Sequence, residues 1–291
     1  MTPRWCAALL AAGLLLMLAE APQAAEQRLL IAPRLTDARL PEAEAHHLVI
    51  YNADRRDAPL LLWLSGTGGN PAAGPQRLYE TALRQGYRLL ALSYVNTPAV
   101  AQVCVGPTLR TLPDCAGQFR QQRAWGQAPT RVLADRPEDA IVPRLVRLLQ
   151  HLARNDASGD WMQYLDGEEP RWQRLVLAGQ SQGGGMAAFI AQTRQVAGVI
   201  LFSGGWDRRA GGGIAHWYSR PSQTPPQLWH ASFHTLEPQA AAMAQIYREL
   251  GIPQAQVHAL SEPVIGAHPH GEGISNPAYR AMWEQMLKPA P

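Results

Sequence analysis

The sequence predicts an α/β fold, a mostly parallel central sheet with helices on both faces, and three observations predict it. Apolar runs of strand length alternate with amphipathic stretches of helix length along the chain. A G-x-S-x-G pentapeptide, Gly179 to Gly183, falls between one such run and one such stretch. The chain has 291 residues, 46% of them hydrophobic, which suits one large α/β unit over residues 26–291 rather than two small ones.

Residues 1–25 stand apart from the rest. Arg4 supplies a positive start, Cys6 to Ala19 is apolar almost without interruption, and small residues at Ala21, Ala24 and Ala25 follow. This is the layout of a secretory signal peptide, so the sequence predicts export, to a periplasm or beyond the cell. The apolar run of about 14 residues falls short of the roughly 20 that span a bilayer, so no stable membrane span is expected. Cleavage after Ala21, Ala24 or Ala25 is left open, because Pro22 disturbs the first two choices and Gln23 the third.

His47 to Tyr51 and Leu60 to Leu64 read as strands divided by a polar turn, either an antiparallel pair or two successive strands. The second runs into a glycine loop, Ser65-Gly66-Thr67-Gly68-Gly69. Gln76 to Gln85 reads as a helix closed by Gly86, and Tyr87 to Tyr94 as the next strand, with a cysteine-bearing loop beyond it. Asp135 to Asp139 opens a long helix to about Arg154, with proline and acids near its positive end. Arg174 to Ala178, Gly183 to Arg194 and Val196 to Phe202 form a strand, helix and strand at the centre of the sheet. Residues 204–226 read as a loop that serves as a lid or a pocket rim. A strand from Leu228 to Phe233, a helix from Gln239 to Leu250, a strand from Gln256 to Leu260 and a helix from Pro277 to Leu287 complete the pattern.

Once Cys6 leaves with the signal, Cys104 and Cys115 remain as an even pair in an oxidising compartment, and a disulfide between them is expected. Two lone cysteines without a nearby histidine pair offer no zinc site. The formal charge is only +3, carried by scattered arginines with no basic cluster interleaved with aromatics, so nucleic acid is not an expected partner. No cofactor or metal is expected, and the oligomeric state is left open.

The pentapeptide carries the chemistry. A serine on a tight strand-to-helix turn needs small neighbours two residues away on each side, and Gly179 and Gly183 supply that room around Ser181. The helix behind it turns its positive end toward a developing oxyanion. A serine at its ordinary pKa is a poor nucleophile, so a histidine base and an orienting acid should follow in the order serine, acid, histidine. Glu237, just after the Leu228 to Phe233 strand, is the preferred acid, and Asp207 is the alternative. In the loop Gly266-Ala267-His268-Pro269-His270-Gly271, His268 is the preferred base and His270 the alternative. Backbone N–H groups of Thr67 and Gln182 are the expected oxyanion donors.

The pattern resembles the α/β-hydrolase superfamily. More narrowly, it is similar to a group of secreted bacterial α/β-hydrolase-like proteins of undefined substrate. The resemblance rests on Gly66-Thr67-Gly68-Gly69, Ser93-Tyr94-Val95-Asn96, Cys104 with Cys115, and Gly179-Gln180-Ser181-Gln182-Gly183-Gly184-Gly185. It continues through Phe202-Ser203-Gly204, His234-x-x-Glu237 and Ala267-His268. It implies an α/β-hydrolase fold with Ser181 as nucleophile, Glu237 as acid, His268 as base, and Thr67 with Gln182 as oxyanion donors. Gln180 stands where the superfamily often has histidine, and Glu237 where aspartate is commoner, which keeps Asp207 open. The glycines after Ser181 are also similar to those of secreted lipase- and cutinase-like enzymes.

The expected activity is therefore hydrolysis of a carboxylic ester, with a small-molecule or lipid-like acyl substrate as partner. Two other readings compete: a non-catalytic exported binding protein on the same fold, and a metal-dependent hydrolase built on His268 and His270.

Overall fold

The computed structural model describes residues 26–41 and 45–289. The expected signal peptide lies outside these residues. Eight strands form one sheet: β1 (Glu26–Ile31), β2 (His47–Asn52), β3 (Leu60–Leu64), β4 (Arg88–Leu92), β5 (Leu175–Gln180), β6 (Gly198–Phe202), β7 (Trp229–His234) and β8 (Val257–Leu260). Their order across the sheet is β1-β2-β4-β3-β5-β6-β7-β8. β2 pairs antiparallel with both β1 and β4, and all other pairings are parallel, so β2 alone runs against the rest. This is the α/β-hydrolase arrangement.

The central strands are apolar without alternation because both sheet faces are covered. In β3, Leu60, Leu62 and Leu64 join one core while Leu61 and Trp63 join the other, as the two-residue period of a strand requires. The first core packs under the helices α2 (Cys115–Trp125), α3 (Ile141–Asn155), α4 (Gln182–Thr193) and α5 (Ala240–Glu249). The second packs under α1 (Gln76–Arg84) and α6 (Arg280–Met286), through Leu78, Tyr79, Trp283 and Met286. Among the described residues, no helix is long and apolar enough to cross a membrane.

Of the two arrangements open for β2 and β3, they are successive strands and not partners, because β4 lies between them and pairs with both. Two features depart from the sequence reading. The edge strand β1 was not expected: its apolar stretch, Leu29 to Ile31, is short and follows Glu26, Gln27 and Arg28, and most of the strand is exposed. The cysteine segment is not a plain loop, since Cys115 begins the eleven-residue helix α2. That helix buries Arg120, Gln122 and Arg123 beside Phe119, and polar residues on a buried face erase the amphipathic pattern that marks a helix in sequence. The expected disulfide is present, joining Cys104 and Cys115 with their Cα atoms 5.6 Å apart. Within 204–226, Trp217 and Tyr218 are buried in the first core, and Gly205 to Asp207 form a rim at the site described next.

Candidate active site

The residues with chemistry collect at the carboxyl ends of the parallel strands, the edge where an open α/β sheet binds its ligands. Ser181 follows β5, and it turns the chain into α4 at φ 56° and ψ −120°, a backbone that side chains larger than glycine rarely adopt. The turn is held by the Ser181 N–H donating to the Phe202 carbonyl at 2.9 Å and the Gly185 N–H donating to the Ser181 carbonyl at 3.0 Å. Gly183 is obligatory here, since a side chain would run into the Leu64 carbonyl at the end of β3. Gly185 leaves room for the buried guanidinium of Arg120.

Glu237 follows β7 and is buried. One carboxylate oxygen, Oε1, accepts from the Ser203 hydroxyl and from the His234 backbone N–H, both at 2.7 Å. The other, Oε2, lies 2.6 Å from His270 Nδ1. With Nδ1–H donated to the carboxylate, Nε2 of His270 is left as the basic nitrogen, the tautomer that a general base needs. The His270 ring also meets the Trp206 ring edge-on, with centroids 5.2 Å apart.

Of the two histidines expected as candidates for the base, it is His270 and not His268 that meets Glu237. His268 is exposed, and the turn at Pro269–Gly271 separates its course from that of His270, which the same turn brings onto Glu237. Asp207, the alternative acid, is engaged elsewhere. Its two oxygens accept from Arg120 Nη2 at 2.8 Å and Nε at 2.9 Å, and Oδ2 also accepts from Trp217 Nε1 at 2.9 Å.

The histidine loop is pinned from three directions. Glu272 is fully buried and accepts from the backbone N–H groups of Ile265 and Gly266 and from the Asn276 amide. Burial works to raise its pKa, but these hydrogen bonds outweigh it and hold the carboxyl below its ordinary range. The Gln180 amide donates to the His270 carbonyl at 3.2 Å. His234 ties backbones together: its Nδ1 accepts from the Leu236 N–H, which leaves Nε2–H to donate to the Glu262 carbonyl.

Thr67 and Gln182 line one small cleft with Ser181. Gln182 is the first residue of α4, so its backbone N–H has no partner within the helix. The loop that carries Thr67 is clamped by Asn96, which accepts from the Gly68 N–H and donates to the Gly69 carbonyl, and by Tyr94, whose hydroxyl donates to the Ser65 carbonyl at 2.6 Å. Gly66 passes so close to Gln180 and Ser181 that any side chain there would clash. The disulfide fixes the opposite wall, tying the short helix Val100–Val103 to the start of α2.

Sequence reasoning did not assign roles to Ser203, Arg120, Trp206 or Glu272. Ser203 lies at φ 46° at the end of β6, the position next to β5 on the carboxyl edge, and that placement was the available signal. Two larger hollows, of about 590 and 520 Å³, lie at the opposite edge of the sheet around Tyr87, Arg55 and Gly198, away from this chemistry. Among the described residues, no group of three or more histidine, cysteine, aspartate or glutamate side chains is placed to hold a metal ion.

No protein-family model matches the chain, and no curated protein does. Among solved structures, the fold is similar to a dienelactone hydrolase from Anabaena variabilis, at 15% identity and a TM-score of 0.48, covering 91% of this chain and 96% of that one. It is similar to Thermogutta terrifontis esterase 2 at 14% identity and a TM-score of 0.48, covering 94% and 97% of the two chains. It is also similar to carboxyl esterase 2 from the mycorrhizal fungus Tuber melanosporum, at 12% identity and a TM-score of 0.47, covering 93% and 87%.

Proposed function

We propose that this protein is an exported serine hydrolase that cleaves carboxylic esters through an acyl-enzyme, with Ser181 as nucleophile, His270 as base and Glu237 as acid. The observation that carries the reading is the 2.6 Å contact between Glu237 and His270, downstream in chain order of a serine held on a strained strand-to-helix turn. Export is supported by the layout of residues 1–25 and fits a chain whose two remaining cysteines are joined.

In this mechanism His270 Nε2 takes the Ser181 hydroxyl proton as Oγ bonds to the ester carbonyl carbon. The oxyanion is met by the backbone N–H groups of Gln182 and Thr67, and the imidazolium by the Glu237 carboxylate. Collapse breaks the bond to the alcohol oxygen, which leaves with the proton from His270. Water then adds to the acyl-enzyme by the same route, giving the acid and regenerating Ser181.

The test is fluorophosphonate labelling of the signal-free protein, comparing wild type with Ser181→Ala, Glu237→Ala, His270→Ala, His268→Ala and Asp207→Ala. Labelling should vanish in Ser181→Ala and slow sharply in Glu237→Ala and His270→Ala. A folded wild type that takes no label would overturn the reading in favour of an exported binding protein.

A further inference from the structure

The cleft beside Ser181 is small, about 70 Å³, and its walls include Thr67, Val100, Arg120, Gln182 and Trp206. A cavity of about 150 Å³ holds a benzene ring, so this one has room for roughly half as many heavy atoms. Its position decides which part of an ester enters. Both expected oxyanion donors border it, so the carbonyl oxygen must point into its mouth, whereas His270, which must reach the alcohol oxygen, does not line it. The acyl group therefore occupies the cleft and the alcohol lies on the His270 side. That side is open: the His270 side chain is 35% exposed, and Gly266 to His268 of its own loop are exposed.

The charges in the wall are spent on each other. Arg120 is buried, and its bidentate pairing with Asp207 leaves no net positive charge to attract an acidic acyl group. The Val100 part of the wall is fixed: Val100 is buried on the helix stapled by Cys104 and Cys115, and its backbone N–H lies 3.5 Å from the Gln182 side-chain oxygen. A packed wall of this kind does not yield to a longer chain without strain.

We infer that the cleft is an acyl pocket sized for acetyl, so that the protein is an acetyl-ester hydrolase whose alcohol portion is unrestricted in size; this rests on the serine-hydrolase reading above. The reaction is ester plus water to acetic acid, released as acetate and a proton, plus alcohol. The bond from Ser181 Oγ to the acetyl carbon forms as the carbon–alkoxy bond breaks, and the Ser181 proton passes through His270 to the alcohol. Water then contributes its oxygen to acetate and returns a proton to Ser181.

The experiment measures kcat/KM for p-nitrophenyl acetate, butyrate and octanoate with wild type and Val100→Ala, alongside fluorophosphonate labelling of Ser181. Wild type should lose at least about 10-fold from acetate to butyrate and more to octanoate, since each excluded methylene costs a factor of that order. Val100→Ala should narrow the gap between acetate and the longer esters. Octanoate turned over as well as acetate, or a labelled Ser181 with no acetate hydrolysis, would overturn the acetyl pocket and leave the nucleophile standing. Absence of both labelling and hydrolysis would overturn the serine-hydrolase reading itself. The wild-type series decides the matter even if Val100→Ala does not fold.

Discussion

Arg120 grips Asp207 with two parallel N–H···O bonds of 2.8 and 2.9 Å, and its remaining nitrogen, Nη1, donates to the Gln182 carbonyl at 3.0 Å. One buried cation thus joins α2, the rim that follows β6, and the first residue of the nucleophile helix. Asp207 is committed to this fixture, whereas the Glu237 carboxylate meets His270.

Removing one member of that pair should damage stability more than chemistry. Asp207→Ala leaves the Arg120 charge buried and unpaired, a change that costs about 3–5 kcal/mol. Urea unfolding should show this loss, while the folded fraction keeps a Ser181 labelling rate well above that of Glu237→Ala. A fully stable Asp207→Ala protein with abolished labelling would instead return Asp207 to the role of triad acid.

The two neighbouring histidines should separate cleanly. His270→Ala removes the general base and should lower kcat by about 10²–10⁴-fold, whereas exposed His268→Ala should remain near wild type. Circular dichroism of both variants controls for folding. The opposite ranking would mean that the 2.6 Å contact to Glu237 is not the catalytic one.

Much of this site was legible in the sequence because its constraints are local. The glycines around Ser181 report steric limits imposed by a single turn, and Gly66 reports the close passage of the β3 loop, so the motif and its strand and helix context single out Ser181, Thr67 and Gln182, which the structure brings to one cleft. Position after a strand left both Glu237 and Asp207 open as the acid, and only the pairing of Asp207 with Arg120 and of Glu237 with His270 tells them apart. The choice between His268 and His270 was likewise not legible, because two histidines separated by one proline share the same composition and the same loop. Only the path of the chain past Glu272 and Gln180 decides which ring meets the acid. In the fold, the apolar central strands declared themselves, while exposed β1 and polar-faced α2 carried no periodic signal. The partnership of β2 with β4 rather than β3 depends on a crossover that no local pattern encodes.

The disulfide should matter to both stability and the cleft. Closing a loop of this length contributes on the order of 3 kcal/mol in the chain-entropy picture. Cys104→Ser with Cys115→Ser should therefore lower Tm, and it should also relax the preference for short acyl groups, because the Val100 wall loses its staple. Calorimetry and the ester series read the two effects separately. A lower Tm with unchanged chain-length preference would show that the wall holds by packing alone.

His47 should dominate a distinct part of the acid limb of stability. It is fully buried at the start of β2, with Nδ1 accepting from the Ser93 backbone N–H at 3.0 Å. Burial, reinforced by the nearby charge of Arg144, pushes its pKa down to about 3. The unfolded chain, with an ordinary histidine pKa of about 6.5, binds a proton that the folded one refuses. Stability is therefore unaffected by this group above pH 6.5 and is lost as pH falls from there toward 3, at up to about 1.4 kcal/mol per pH unit. In His47→Asn, an amide oxygen can replace Nδ1 as the acceptor for Ser93 without taking up a proton. Urea denaturation at a series of pH values between 6.5 and 4.5 should then show a shallower decline in the variant, by about the slope of one proton. Parallel declines in the two proteins would show that His47 accepts its proton without unfolding the sheet edge.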